Sequence, residues 1–425
     1  MRTLQGAVRR VAFAAAMIAA LLAKAPAAHA SASRKSTWGQ ILFVGDESEG
    51  PHLVIPPPPA PAELYDPASN RFAAHPPMMD QGRDGATATV ITAGPNAGKV
   101  LIAGGGNSVH GSLSSTQLYD PATDKFSFGP DLSGRRGSHT ATAITSGPRA
   151  GWILIAGGGG PDIYSSLADG NGTELYDPFT NAFLSGPMTA DDRVEATATV
   201  IPSGPNAGRI LIAGGWEAGV RSLASTAIYD PAANLFAAGP AMRIVREDHT
   251  ATIIPSGPNA GRILIAGGVG PYVNHKFVPL ALTELYDPAA NRFLRGPAMK
   301  IARSFHTATI ITAGPNAGKI LFAGGQRGDE VLYSTELYDP AANRFVFGPA
   351  MRSARTRHAA IAIVSGPNAG KILIAGGWGG NNAKDYGPLA TTELYDPAAN
   401  LFTPGPSMHG APGGVAVQLP PAPPR

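Results

Sequence analysis

Residues 248–268 read DHTATIIPSGPNAGRILIAGG, and residues 282–297 read LTELYDPAANRFLRGP. Together they hold four short segments rich in β-branched, aliphatic or aromatic residues: His249–Ile254, Arg262–Ala266, Thr283–Tyr286 and Asn291–Leu294. Gly, Pro and Asn stand at the junctions, as they do where short antiparallel strands are joined by tight turns. The two stretches therefore predict one four-stranded antiparallel sheet.

This unit recurs along the chain. The tripeptide YDP occurs seven times, 52 to 57 residues apart, with its tyrosine at Tyr65, Tyr119, Tyr176, Tyr229, Tyr286, Tyr338 and Tyr395. The pentapeptide GPNAG, once GPRAG, occurs six times, beginning at Gly94, Gly147, Gly204, Gly257, Gly314 and Gly366. A period near 50 residues is typical of β-propellers, in which each repeat forms one blade. Because no segment shows sustained helical periodicity, the sequence predicts an all-β fold.

The difference between seven copies of YDP and six copies of GPNAG predicts how the ring closes. GPNAG lies between the first and second strands of a unit. The chain enters the repeats at ILFVGD, residues 41–46, a degenerate copy of the second-strand motif ILIAGG, and leaves at GGVAVQL, residues 413–419, which matches a first strand. We therefore expect seven blades over residues 40–419, with Val415–Leu419 pairing with Ile41–Val44. Closure also removes exposed sheet edges.

The repeats resemble the kelch family, through an Arg before the first strand, a double glycine after the second, Tyr-Asp in the third and an aromatic residue in the fourth. The resemblance implies a propeller of four-stranded antiparallel blades, related in fold to the central domain of galactose oxidase. Family members usually carry Trp in the fourth strand, where this chain has Phe72, Phe126, Phe183, Phe236, Phe293, Phe345 and Phe402. Galactose oxidase chemistry requires a cysteine cross-linked to tyrosine. This chain has no cysteine, which excludes that copper-radical chemistry.

The first 30 residues predict a secretory signal peptide. Basic residues precede the apolar run Val11–Ala23, which is too short to span a bilayer comfortably, and a small-residue cleavage site follows at Ala28–Ala30. We therefore expect a bacterial protein that is secreted or periplasmic after cleavage near Ala30. Residues 31–39 are then a short linker and residues 420–425 a Pro-rich tail.

The charge balance gives no sign of a nucleic-acid partner. The whole chain has 33 basic and 30 acidic residues, a formal charge of +3. Residues 1–30 contribute four of the basic residues and no acid, so the mature chain has 29 minus 30, or −1. The alkaline isoelectric point therefore belongs largely to the signal segment. We expect no membrane span and a monomer stabilised by its core.

The two faces of the predicted propeller differ in sequence. One face carries the near-identical GPNAG and YDPAAN turns, which indicate scaffold. The other carries the loops between the second and third strands, which vary in length and are therefore the expected binding surface. Trp216 and Trp378 directly follow a double glycine there, in blades four and seven. They could stack on a sugar or a peptide, or pack at the top of their blades.

An arginine precedes the first strand in six units: Arg83, Arg136, Arg193, Arg246, Arg303 and Arg355. If the guanidinium groups converge at the channel mouth, they would form a funnel that prefers anions, as the kelch resemblance also implies. The alternative is a structural ion pair with the third-strand glutamate of a blade, at Glu63, Glu174, Glu284, Glu336 or Glu393. The sequence leaves both open.

Other polar residues near these arginines give weaker signals. His139, His249, His306 and His358 belong to separate blades without local ligand spacing, which favours a structural role over a metal site. We expect no metal and no other cofactor. The acids Asp191, Asp192, Glu195, Glu247 and Asp248 would allow acid–base work on an anionic sugar, although no catalytic residue can be assigned.

These observations give two hypotheses of different classes. The first is an exported binding module that engages an anionic glycan or a protein partner through the variable loop face. The alternative is a sugar-acting enzyme, such as an epimerase or mutarotase, with its site at the channel mouth.

Overall fold

The structure is a computed structural model, and it describes residues 36–45, 60–74, 77–107, 110–160, 172–217, 221–273, 276–380, 386–410 and 414–423. The predicted signal peptide lies outside these ranges. Strands, turns and bends make up the described part, which is all-β and contains no helix. Consistent with this, nothing in the described part is a helix long and apolar enough to cross a membrane.

Seven four-stranded antiparallel sheets are present in the described residues, and we number them as blades one to seven. The first strands, for blades two to seven and then one, are Thr87–Val90, Thr140–Ala143, Thr197–Val200, Thr250–Ile253, Thr307–Ile310, Ala359–Ala362 and Val415–Gln418. The second strands, for blades one to seven, are Ile41–Val44, Val100–Ala103, Ile153–Ala156, Ile210–Ala213, Ile263–Ala266, Ile320–Ala323 and Ile372–Ala375.

The outer half of each blade is equally regular. The third strands, in the same order, are Glu63–Asp66, Thr116–Asp120, Thr173–Asp177, Thr226–Asp230, Thr283–Asp287, Thr335–Asp339 and Thr392–Asp396. The fourth strands are Arg71–Phe72, Lys125–Phe128, Ala182–Ser185, Leu235–Ala238, Arg292–Arg295, Arg344–Phe347 and Leu401–Pro404. The second strands are buried along their whole length, since they lie inside a blade and also pack against the neighbouring blades.

The two ends of the repeat region form one sheet, as predicted. Ile41 pairs with Gln418, and Val44 pairs with Val415, in an antiparallel register. The amide of Leu419 donates to the carbonyl of Gln40 at 2.9 Å. The first strands of successive blades contact one another in a closed order, from blade one through blade seven and back to blade one. This arrangement supports the predicted seven blades.

The YDPAAN motif forms a rigid corner, which blade five illustrates. Asp287 accepts a hydrogen bond from the amide of Ala289 at 3.0 Å, which fixes the turn. Asn291 adopts a left-handed φ of 48°, a conformation that Asn tolerates better than most residues. The hydroxyl of Tyr286 donates to Asn291 Oδ1 at 2.9 Å, and the buried Tyr286 ring packs on Phe293 with centroids 5.4 Å apart. The fourth-strand Phe thus packs against the tyrosine of its own blade.

The GPNAG turn packs against the YDP turn of the next blade. Gly204 has a φ of 78°, and a Cβ there would overlap the carbonyl oxygen of Pro288. Gly366 of blade seven meets Pro67 of blade one in the same way, so this contact also bridges the closure. The two repeated motifs therefore form one interlocking rim, which explains why both are so uniform in sequence.

Hydrogen bonds join the described residues at each end of the repeat region to the ring. The hydroxyl groups of Thr37 and Tyr119 lie 2.6 Å apart, and the Thr37 amide donates to the carbonyl of Pro121. The amide of Gly39 donates to the carbonyl of Pro420 at 2.9 Å. These polar groups find their partners on the ring, so residues 36–39 and Pro420 pack with it.

Candidate functional site

The second-to-third-strand loops form small sheets above the blades. In blades four and seven the tryptophan lies in the central strand of a three-stranded sheet, and the six strands are Arg193–Val194, Trp216–Glu217, Arg221–Ser222, Arg355–Thr356, Trp378–Gly379 and Gly387–Pro388. The remaining short strands form four pairs: Ala60–Pro61 with Met78–Met79, Gly106–Asn107 with Gly111–Ser112, Val269–Val273 with Lys276–Pro279, and Gln326–Arg327 with Glu330–Val331. This loop face therefore has an ordered framework that can hold side chains in fixed positions.

Aromatic side chains cluster in two places on the loop face. Trp216 meets Phe277 edge to face with centroids 5.8 Å apart, and both line a cleft of about 780 Å³. Trp378 lies 6.1 Å from Tyr386, which with Tyr333 lines a second cleft of about 890 Å³. Phe277, Tyr333 and Tyr386 are each about half exposed, at 46%, 58% and 53%. Whether either tryptophan binds a ligand stays a prediction.

The six arginines are buried within their blades, whereas an anion funnel would need their guanidinium groups exposed at the channel mouth. All six residues are at most 3% exposed: Arg83, Arg136, Arg193, Arg246, Arg303 and Arg355. In blade six, Arg303 Nη1 donates to the carbonyls of Gly324 and Ser334, and Nη2 donates to Glu336 Oε1 at 3.0 Å. Each guanidinium thus clamps the second and third strands of its own blade.

Every one of these arginines has a carboxylate partner. Four pair with the third-strand glutamate that the alternative interpretation named: Arg136 with Glu174, Arg246 with Glu284, Arg303 with Glu336, and Arg355 with Glu393. Blades two and four have Gln117 and Ala227 at that position, and there Asp80 and Asp191 supply the carboxylate from the entering loop. In blade one, which has no arginine, Glu63 accepts from the amides of His409 and Gly410.

The four histidines join neighbouring blades. The Nε2 atoms of His139, His249, His306 and His358 each lie 2.9 to 3.0 Å from a threonine hydroxyl of the preceding blade. Burial, reinforced by the neighbouring arginine, lowers the pKa of His139, His249 and His358 to about 3, which keeps the rings neutral. Among the described residues, no group of three or more His, Asp or Glu side chains is arranged to hold a metal ion.

The channel mouth is formed by the residue two positions after each arginine, together with its counterpart in blade one. We call this set the mouth ring, and it consists of Gly85, Ser138, Glu195, Asp248, Phe305, Arg357 and Gly414. All seven residues have a left-handed φ between 51° and 92°. Each amide from Ser138 onward donates to the carbonyl of the preceding member, at 2.9 to 3.3 Å. A chain of six backbone hydrogen bonds thus links all seven blades.

The mouth ring carries strained backbone and diverse chemistry. Five of its residues are not glycine, and left-handed conformations of such residues cost about 1–3 kcal/mol each and cluster at functional sites. The whole ring lines an open cavity of about 410 Å³ to which all seven blades contribute residues. Glu195, Asp248, Phe305 and Arg357 also line the 780 Å³ cleft beside Trp216, so the two spaces meet at these residues.

Three carboxyl groups at this junction have raised pKa values. Burial raises the pKa of Glu195 and of Asp248, and these two side chains are in hydrogen-bonding contact, which favours one shared proton. Arg357 opposes both shifts. Burial, and then the charge of Glu195, raises the pKa of Glu247 to about 8. The junction can therefore exchange protons near neutral pH and can stabilise a positive charge.

The mouth ring was not predicted, although its acids Glu195 and Asp248 were among the candidate residues. No residue type is shared by its seven positions, so the repeat consensus does not reveal them. The available signal was the alternation itself: the position holds glycine in two repeats and charged, aromatic or polar residues in the other five. A glycine at one repeat position indicates a backbone conformation that the other repeats must also adopt.

The family model of the Kelch motif matches residues 92–133 and residues 368–409, each of which runs from a first-to-second-strand turn to beyond the fourth strand of a blade. No curated protein matches the chain.

Proposed function

Because the chain is a kelch-repeat β-propeller, a type of protein-interaction module, we propose that it binds a partner protein through the two aromatic clefts of its loop face. The observation that carries the proposal is the set of half-exposed aromatic side chains held there by short paired strands, which includes Phe277, Tyr333 and Tyr386. Large, rigid aromatic side chains are the residues that most often dominate the binding energy of protein interfaces.

The charge of the clefts informs the choice of partner. The sequence led us to expect an anionic glycan or a protein partner, and the anionic preference rested on the six arginines, which are paired inside the blades. The 780 Å³ cleft is lined by Glu195, Glu247, Asp248 and Asp329 against the single guanidinium of Arg357. A protein partner therefore suits the face better than an acidic carbohydrate, which a glycan array would test directly.

The test compares two variants in affinity capture. Phe277→Ser with Tyr386→Ser removes one aromatic anchor from each of the two loop-face clusters. Phe128→Ser with Leu235→Ser removes apolar side chains that are 75% and 61% exposed on outer strands. We expect the loop-face variant to lose partners that the wild-type chain and the outer-strand variant both retain. Identical capture by all three proteins would contradict the proposal.

The enzyme alternative is favoured by one observation. Glu247 has a pKa raised to about 8 and lies beside a carboxyl pair in a cleft, which suits general acid–base catalysis near neutral pH. Proton NMR of sugar anomerisation or epimerisation, with a panel of acidic and neutral sugars, tests it. If neither the wild-type protein nor Glu247→Gln changes the rate of anomerisation or epimerisation, the enzyme alternative falls and only the binding module remains.

Export is also part of the proposal, supported by the signal-like composition of residues 1–30. N-terminal sequencing of the protein recovered outside the cytoplasm of an expressing bacterium would test it, with a mature start near Ser31 as the expected result. Recovery of the full-length chain in the cytoplasm alone would argue against it.

A further inference from the structure

We propose that the junction of the 780 Å³ cleft and the channel mouth is a pocket for a basic side chain, lysine or arginine, of the partner protein, with Glu247 as its principal acceptor. This inference rests on the proposed function and specifies the chemistry of the partner. It also reverses the anionic preference expected from the sequence. Three features of the junction support this pocket: an unpartnered acceptor, a deficit of positive charge, and an aromatic wall.

The unpartnered acceptor is a carboxyl oxygen of Glu247. Its side chain is only 5% exposed, yet it lines the cleft. Within the part of the chain that the structure describes, its buried Oε2 atom has no hydrogen-bond partner. A buried acceptor without a donor costs free energy, and most native proteins satisfy such atoms with a side chain, a water molecule or a ligand. The unmet acceptor facing the cleft therefore indicates a donor that arrives from outside.

The deficit of positive charge follows from the acids and the one guanidinium that line the cleft. Glu195 and Asp248 contact each other and share the favourable field of Arg357, which offsets about one carboxylate. Glu247 is next to this pair, and its main electrostatic influence is the unfavourable one of Glu195. With one proton shared by Glu195 and Asp248, the described side chains of the site lack at least one cation when Glu247 is ionised. An ammonium or guanidinium group would supply both the charge and the donor.

The walls of the cleft are partly aromatic. Trp216, Phe277 and Phe305 line the same cleft, and the guanidinium of Arg357 already lies over the Phe305 ring, 4.3 Å from its centroid. Aromatic faces attract cations and also cover the aliphatic stems of Lys and Arg. An acidic or neutral side chain would gain neither interaction.

The test uses the full chain and four capped pentapeptides, acetyl-Gly-Ala-X-Ala-Gly-amide, with X as Lys, Arg, Gln or Glu. Dissociation constants are measured by NMR titration at pH 8 to peptide concentrations of about 10 mM. One charge-assisted hydrogen bond makes a difference of roughly ten- to a hundredfold in affinity. We therefore expect the Lys or Arg peptide to bind at least about tenfold more tightly than the Gln peptide.

Two isosteric variants make the comparison specific. Glu247→Gln removes the acceptor charge and should abolish the preference for the basic peptides. Asp131→Asn makes the same chemical change at an exposed carboxylate that lines none of the three cavities described above, and it should leave the preference intact. Since the Glu247 carboxyl must lose its proton to pair with a cation, the preference should also weaken between pH 8 and pH 6.

The outcomes separate this inference from the proposed function. Tighter binding of the Glu peptide, or equal binding of all four, would overturn the basic-side-chain pocket. If capture in the preceding section still depended on Phe277 and Tyr386, the interaction module would stand and only the chemistry assigned to its partner would fall. If capture did not depend on Phe277 and Tyr386 but the peptide preference were intact, the basic-side-chain pocket would stand and the proposed interaction through the aromatic clefts would fall.

Discussion

Removing a buried guanidinium should lower the stability of this propeller rather than weaken its binding of a ligand. Arg303 is fully buried and donates to the carbonyl of Gly324 at 2.7 Å, to that of Ser334 at 3.1 Å, and to Glu336 at 3.0 Å. Arg303→Ala leaves a cavity and strands the Glu336 carboxylate, which then keeps only the backbone amides of Lys300 and Ile301 as donors. Breaking one partner of a buried ion pair costs about 3–5 kcal/mol, and we expect a loss of that size in the free energy of unfolding.

The assay is equilibrium denaturation in urea, monitored by tryptophan fluorescence and checked for reversibility. Arg344→Ala is the matched control, because Arg344 is exposed on a fourth strand and its removal should change stability by less than about 0.5 kcal/mol. Adding Glu336→Gln to Arg303→Ala removes the stranded charge but keeps an oxygen that can accept from Lys300. The double variant should therefore be more stable than Arg303→Ala alone. A stability within about 1 kcal/mol of wild type for Arg303→Ala would refute the clamp role, and a simultaneous loss of acidic-ligand binding would restore the anion funnel.

Three further predictions concern closure, pH and metal. Deleting residues 413–425 removes the first strand of blade one and should abolish cooperative unfolding or cause aggregation, whereas deleting residues 421–425 should have no effect by denaturation or light scattering; a stable longer truncation would contradict the closure. The pKa of Glu247 is raised to about 8, so the protonated carboxyl has no effect on stability at low pH and the ionising carboxyl destabilises the fold as pH rises from about 4.5 to 8, by up to about 1.4 kcal/mol per pH unit. Glu247→Gln should therefore reduce the fall in melting temperature over that range of pH. Melting temperatures that fall equally with pH in the wild type and the variant would contradict this prediction. Elemental analysis should find no stoichiometric copper or zinc, and chelator should not shift melting, because the four histidines bond to threonine hydroxyls; one tightly held metal per chain would contradict this.

The strands were predictable because the same sequence pattern recurs in each repeat. The segments expected at Arg262–Ala266 and Asn291–Leu294 appear as Ile263–Ala266 and Arg292–Arg295. Comparing copies of a turn motif also predicted the pairing of the two chain ends, since the missing seventh GPNAG has a direct geometric meaning. Repetition thus supplied what one short strand on its own could not.

The fate of the arginines was not decidable from the sequence. Their spacing gives a position before the first strand, but the long side chain can reach either the channel or the adjacent strands from there. Partner identity also varies: Asp191 replaces the third-strand glutamate in blade four, at a place outside the repeat consensus. The mouth ring was harder still, because Glu, Phe and Arg give no local sign of a left-handed backbone.

The paired ends of the chain have a consequence for how the fold could be rewired. The bond from the Leu419 amide to the Gln40 carbonyl, 2.9 Å long, is the counterpart of the bond from Ile201 to Arg209 that spans a GPNAG turn in blade four, 2.8 Å long. The break in the ring therefore lies where each of the other six blades has a covalent hairpin. The backbone on either side of the break already has the geometry of that hairpin. A seven-residue bridge PSGPNAG, the segment that separates Ile201 from Arg209, could join residues 419 and 40. With new termini opened at another copy of that turn, it should give a circular permutant with the same architecture.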